Sequence, residues 1–563
     1  MPSCDVVVVG GGHQGLVAAV VLAEAGLEVT VVEASSEVGG AVRSAEVTRP
    51  GLVHDLYATN MNLFLGSPFY ARYEVELADA GLRFAHSAMP YASAFPEGHS
   101  LRISSDADET ACMWQKHDAR DAEGWKRLER VFDDVSAAYL PMSSHPFPSR
   151  STLGVARTVL LSRKESTLSE LVQTVASSTR ALGERYFATP EARSLAAAWG
   201  MHLDFAPDVA GGAVFPLLEL FLDMRFGMNL VQGGASRLPQ TLRTLLEARG
   251  GRVLTGQAVE SIDVADGRAR GVHLADGRRV AARHAVLATT PLPVLVHRLL
   301  KHAPVPAPMR DAADRYRFGP GTFMVHLALN GPIPWHDERL SRHAYVHIGP
   351  YVDDMARTYQ QTLAGVLPDE PLLVVGQTSE VDPSRSADPN LHAVWIQVRT
   401  VPGRIVADAA PRSTGGDLGG QTWHEAAEPF TARVLEKLER YAPGVTDRVV
   451  GSAAFSPPSL EAANANLVGG DSISGSHHLD QFVGLRPALS LSRYRTPLDG
   501  LYIAGAGTWP GAGVNAVSGQ RAAEQLLSDL HNRNRWRGRA RRTLHKRSLR
   551  TRRGGSNTAR TPD

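Results

Sequence analysis

The chain opens on an unbroken apolar run, "DVVVVG", from Asp5 to Gly10. A run with no polar alternation predicts a strand covered on both faces. It leads into "HQGLVAAVVLAEAG", a helical segment with Gly26 placed as its C-terminal stop, and then into a second buried strand, "EVTVVEA". Residues 4–34 therefore predict a β–α–β unit. From about Ala71 the pattern changes. A hairpin is predicted around "AFPEGHSLRIS", a helix over "EGWKRLERVFDDVSAAYL" and a break at "PMSSHPFPSRS". Short strands divided by Asp-Gly turns at 266–267 and 276–277 predict a β-meander over 258–290. Between about 300 and 450 strands ("TFMVHLALN", "HAVWIQVRT") mix with a helix ("AAEPFTARVLEKLERYA"). The stretch "GLYIAGAGTWPGAGVNAVSGQRAAEQLL", 500–527, then returns to the opening style of strand, glycine-rich turn and helix.

The glycines carry the first chemistry. Gly10-x-Gly12-x-x-Gly15 follows a strand and precedes a helix. Gly10 permits the tight turn, Gly12 lets a pyrophosphate approach the backbone, and Gly15 lets the helix pack closely on the strand. Glu33, at the end of the next strand, is placed to accept hydrogen bonds from an unphosphorylated ribose. Gly39-Gly40 and Arg43 follow, a loop that can bring a guanidinium to a diphosphate. "VQGGASRL" lacks the spacing of a second dinucleotide motif, so one dinucleotide is expected and no separate nicotinamide site.

At 563 residues the chain exceeds a single core, and 43% hydrophobic with 21% charged residues is an ordinary globular composition. Its two cysteines, Cys4 and Cys112, form neither a disulfide framework nor a CxxC redox pair. No metal-binding motif is present. The first strand begins at residue 5 with no secretory leader before it, which reads as cytoplasmic. Residues 531–563 hold eleven Arg and one Lys against one Asp, so the rest of the chain carries −10 of the overall +1. Such a tail predicts disorder, with nucleic acid or anionic lipid as its conceivable contacts. The mixed apolar and basic segment 152–175 reads as a core helix pair, or alternatively as a surface resting on a bilayer.

The segments "GGGHQGLVAAVVLAEAGLEVTVVEASSEVGGAVRS", "HAVLATTP" and "YRTPLDGLYIAGAGTWPGAGVNAVSGQRAA" together resemble the flavin-dependent carotenoid (phytoene) desaturase and carotene isomerase group of the amine-oxidase-type flavoproteins. "LDQFVGLRPALSLSRYRTPLDGLYIAGAGTWPGAGV" resembles in particular the branch containing pyridine nucleotide-disulfide oxidoreductase domain-containing protein 2. The resemblance implies an α/β fold: a Rossmann-like FAD-binding domain, parallel sheet plus β-meander, with an inserted mixed α+β substrate domain. The FAD domain is expected from 1–70, 228–300 and 451–530, and the substrate domain from 71–227 and 301–450. It further implies that Gly10, Gly12, Gly15, Glu33, Gly39, Gly40 and Arg43 serve the phosphates and ribose, and that Val259 meets the adenine. Gly505 would lie near the ribityl chain, and Gly511, Gly513 and Val514 would start a helix pointing at the flavin pyrimidine.

Two positions stand out. Ala506 replaces the acid many members of the wider superfamily carry, as desaturase-type members also do, and Trp509 stands where desaturases often have His, which would put an indole beside the substrate. The implied activity is dehydrogenation of a hydrophobic small molecule by hydride transfer to the flavin, with oxygen or a quinone among the acceptors. A redox-neutral isomerase and a non-catalytic escort-type carrier are the alternatives. His202, Asp204, Gln481 and Trp509 are the catalytic candidates, the first three reading as structural hydrogen-bonding residues before catalytic ones.

Overall fold

The computed structural model describes residues 3–162 and 165–533; the expectation for the basic tail concerns, beyond 533, residues outside this range. Two seven-stranded sheets organise the chain. The first is α/β. Strand Ser3–Val9 pairs in parallel with Val29–Val32, which pairs in parallel with Arg252–Leu254. On its other side it meets the long strand Arg279–Ala288, also in parallel. That long strand also ends the predicted meander, pairing antiparallel with Arg268–Leu274, which pairs antiparallel with Val259–Ala265. Leu501–Ile503, almost five hundred residues after the opening strand, adds in parallel beside Val286–Ala288. Apolar side chains cover both faces, including Val6, Val8, Leu16 and Val20 on one side and Val7, Val286, Leu295 and Ile503 on the other. Two-sided burial is why the run Val6 to Val9 in the central strand is wholly apolar rather than alternating.

The second sheet runs in the order Val449–Phe455, Gly321–Leu329, His392–Val401, Leu372–Gln377, Tyr345–Ile348, Tyr91–Ala94, Ser100–Ile103. All pairs are antiparallel except Tyr345–Ile348 with Tyr91–Ala94. One face packs on helix Trp423–Glu439 through Phe323, Val325, Ile396, Val398, Phe430 and Val434. Alternate residues of the same strands, Met324, Tyr345 and Trp395, join the aromatic cluster on the other side. The boundary expected at 451 falls inside strand Val449–Phe455, which pairs with Gly321–Leu329 and so belongs to this second sheet.

Three local expectations are corrected. Helix Ala119–Ser143 continues through Pro141, so the break begins at Ser144. The last helix starts at 517, after the loop carrying Gly511, Gly513 and Val514, rather than at these residues. Segment 152–175 forms helices Arg150–Ser162 and Glu165–Ala176; among its described side chains Leu171 packs against the aromatic cluster, but Leu153, Leu161, Val172 and Val175 are exposed, so those four positions are not core.

Candidate cofactor cleft and active site

The two glycine-rich turns meet. Gln14, in the first turn of helix His13–Glu24, donates from Nε2 to the backbone oxygen of Asn515 (2.6 Å), and its Oε1 accepts from Gly519 N–H (2.7 Å). The crossing is so close that a Cβ on Gly519 would lie 2.1 Å from the Gln14 carbonyl oxygen, and a Cβ on Gly15 would lie 2.2 Å from that of Gly10. Both positions require hydrogen as the side chain.

A cleft of about 430 Å³ runs along this junction. Gly10, Gly12, Gly15, Glu33, Gly40, Arg43, Val259 and Gly505 all line it. Gly39 stands behind the wall, its N–H bonded to Gly11 O (2.9 Å), and a Cβ there would strike Val42 O at 2.6 Å. Glu33 accepts hydrogen bonds from Gly11 N–H (2.7 Å) and Ser35 N–H (2.8 Å), which fixes its carboxylate at the rim. Arg43 has no ion-pair partner among the described residues. His13 Nε2 and Thr290 Oγ1, also on the cleft wall, are buried with no hydrogen-bond partner in the protein. Burial holds the His13 imidazole down to about 4, so it is neutral at ordinary pH.

A second cavity of about 230 Å³ adjoins the cleft, sharing His13, Ala41, Leu467, Ser472 and Ala506. Gly513 and Val514 form one wall. Opposite stands the second sheet, presenting Thr322 and Met324, Tyr345, and the alternating Trp395, Gln397 and Arg399. His202 lines this cavity, with its Nε2 3.1 Å from Nε2 of His347; burial depresses both imidazoles far below their ordinary value. Glu219 is the cavity's one carboxyl group among the described residues. Burial first, and then repulsion from Asp223, pushes its pKa up, so the pair carries a proton at neutrality. Sequence reading missed Glu219, Arg399 and His347, because nothing local marks a strand or helix face as cavity-facing.

The remaining catalytic candidates lie elsewhere. Asp204 bonds Tyr359 O–H (2.7 Å) and lies 3.6 Å from His478, outside the cavity wall. Gln481 pins Arg317 through both its N–H (2.7 Å) and carbonyl (2.8 Å). Trp509 is only 1% exposed, packed edge-on against Tyr139 and tilted against Phe147 and Phe482, with its indole N–H on His145 O (3.0 Å). The indole expected at the substrate face is thus a packing residue. Gly511 is also structural: a Cβ would meet His477 Nε2 at 2.6 Å, where that nitrogen accepts from Ala512 N–H. Arg486, fully buried, donates to the carbonyls of Ile473, Ser474, Gly475, Ser476 and Ala506 and so shapes the loop floor. Ala506, lacking the acid of other flavoproteins, is held by this backbone contact.

The model of the family described as "Flavin containing amine oxidoreductase" matches residues 15–411. The chain belongs to this family. It is an FAD-dependent oxidoreductase. It is 25% identical over 578 residues to pyridine nucleotide-disulfide oxidoreductase domain-containing protein 2 of Mus musculus, covering 94% of each chain. It is 27% identical over 548 residues to the hydroxyneurosporene desaturase of Cereibacter sphaeroides, covering 94% of this chain and 99% of that one. Cyclohexylamine oxidase from Brevibacterium oxydans shares the fold, with a TM-score of 0.56 at 15% identity over 94% of this chain and 100% of that one. The cleft fits FAD on its own chemistry. It offers a helix start with no side-chain cap, glycines where any Cβ would intrude, an unpaired arginine, and buried polar atoms awaiting a partner. No helix among the described residues is long and apolar enough to cross a membrane.

Proposed function

We propose that the protein dehydrogenates a hydrophobic small molecule in the sheet-floored cavity. Bound FAD supplies the oxidant, a two-electron acceptor that takes hydride at N5. Gly10, Gly12, Gly15 and the start of the first helix hold the diphosphate, with Arg43 as its counter-charge. Glu33 serves the adenosine ribose and Val259 the adenine. Gly39, Gly40 and Gly505 would let the loops close on the cofactor, with Gly511 fitting its loop against His477, and Gly513 and Val514 would hold its flavin end. The first sheet thereby serves the cofactor and the second the substrate. Trp199, Met324, Tyr345 and Trp395 orient an apolar body and exclude water. Dehydrogenation also releases a proton, and the Glu219–Asp223 pair, which holds one proton between two carboxyls at neutrality, has the carboxylate able to take it at that wall.

The observation that carries this reading is the shared wall: the glycine-lined cleft opens directly into a cavity whose far side is aromatic. Anaerobic mixing of the purified yellow protein with candidate hydrophobic metabolites tests it, with bleaching near 450 nm as the expected result. Conversion only after prior chemical reduction would instead assign isomerase chemistry. A colourless protein that takes up no added FAD would overturn the reading in favour of a carrier.

A further inference from the structure

Arg399 is out of place in a cavity built for a purely apolar molecule. On strand His392–Val401, Val394, Ile396 and Val398 enter the core beneath the sheet, while Trp395, Gln397 and Arg399 face the cavity. Its Nη1 donates to Ser472 Oγ (2.6 Å), whereas its buried Nε has no hydrogen-bond partner in the protein. No carboxylate pairs with it among the described residues. Asp471 is the acid that acts on it, yet the carboxylate of Asp471 already accepts from the backbone N–H groups of Gly319, Ile473 and Gly475. Burial lowers the guanidinium only to about 10, so it remains a cation at neutrality. The imidazoles there are neutral, with His202 and His347 held deprotonated by burial and by Arg399 itself, while Glu219 shares one proton with Asp223. The chamber wall therefore holds a buried guanidinium that no carboxylate contacts directly and whose Nε–H is left unpaired, an arrangement that a hydrogen-bonding anion relieves.

The cavity also has an apolar extension. A channel of about 460 Å³, lined by Leu65, Tyr139, Leu140, Phe215, Leu218 and Leu222, meets it at Leu63, Glu219 and Ala512.

Resting on the reading of this cavity as the substrate chamber, we propose that its substrate is an amphipathic anion. An oxyanion headgroup is bound by the free edge of the Arg399 guanidinium, and its hydrophobic chain follows the Leu63–Phe215 channel. Guanidinium geometry suits a carboxylate or a phosphate monoester equally, through paired N–H donors. The same residue selects against amines and against neutral hydrocarbons of equal length.

The test uses the full-length, FAD-loaded protein with four probes of one chain length: dodecanoate, dodecyl phosphate, dodecan-1-ol and dodecylamine. Binding is read both by perturbation of the flavin absorbance and by quenching of tryptophan fluorescence, since Trp199 and Trp395 line the chamber. At least one anion should bind about tenfold or more tightly than the alcohol, with the amine weakest. The ratio between dodecanoate and dodecyl phosphate identifies the headgroup. R399Q should bring acid and alcohol within twofold, and R399K should keep the preference over the amine, which covers the case in which R399Q does not fold. Equal binding of acid and alcohol by the wild type overturns the proposal. So does an acid preference that survives R399Q, which would mean the guanidinium serves another partner. Tryptophan quenching with no flavin response leads elsewhere: the chamber is then not the one facing the flavin, and the underlying functional reading fails instead.

Discussion

Replacing Gln14 by leucine tests the convergence of the two chain ends. The side chain is 5% exposed and makes contacts with Asn515 O, Asn515 Oδ1 and Gly519 N–H, at 2.6, 3.1 and 2.7 Å. Leucine preserves most of the volume and excludes water, but leaves the Asn515 carbonyl and the Gly519 N–H without partners. Each such buried group costs about 1–3 kcal/mol, giving a loss on the order of 2–6 kcal/mol. For a chain of this size unfolding as one unit, that is roughly 1 °C in Tm per kcal/mol. Gln14→Ala should be milder than Gln14→Leu, because the space it opens admits a water that can bridge the two orphaned groups. FAD affinity should fall with stability, by up to about tenfold for each 1.4 kcal/mol that the junction contributes to the bound state. Thermal melts followed by flavin fluorescence, together with FAD titration of the apoprotein, read both effects. A Gln14→Leu protein that melts within 1 °C of wild type and binds FAD equally well would refute the argument that the two glycine turns share one site.

Gly15→Ala, whose Cβ would sit 2.2 Å from Gly10 O, should abolish FAD retention after gel filtration while leaving the second sheet folded by circular dichroism. Trp509→Phe should lower Tm through one lost hydrogen bond and some packing, by about 1–2 kcal/mol, yet leave probe affinity in the chamber unchanged; altered affinity would restore the indole to the substrate face. Arg385, fully buried between Asp55 (2.9 Å) and Asp382 (3.3 Å), should not tolerate methionine: two stranded carboxylates cost about 3–5 kcal/mol, seen in urea denaturation. Glu219 is an acid whose folded pKa lies above its unfolded value, so its contribution to stability is intact at low pH and is lost as pH rises from the ordinary carboxylate range through the raised value. Glu219→Gln should therefore flatten the decline in Tm between pH 5 and pH 8, and a variant with the wild-type slope would contradict this assignment.

The cofactor half was legible in the sequence because its determinants are local and steric. Gly10, Gly12 and Gly15 act within one turn, and the unbroken apolar strands announce a sheet covered on both sides. The Asp-Gly dipeptides set the meander in the same way, with Asp266 and Gly267 both at positive φ. What escaped depends on contacts between distant segments. The Gln14–Asn515 contact spans 501 positions and leaves no mark near either residue. Arg399 and Gln397 alternate with core residues on a strand that reads locally as half-buried; only the packing of the whole sheet shows that their side faces a chamber rather than solvent. Trp509 misled because standing where desaturases often have His fixes a place in the sequence and not a side-chain direction, and its indole turns toward Phe147 and Tyr139. Asp204 and Gln481 were plausible as chemistry by residue type alone, and irregular loops turned both into braces.

The pairing of Leu501–Ile503 with Val286–Ala288, and the lock of Gln14 on Gly519, have a consequence for biosynthesis. The nascent polypeptide cannot close this junction until Gly519 has been added, so Gln14 emerges from the ribosome 505 residues ahead of the partner that locks it.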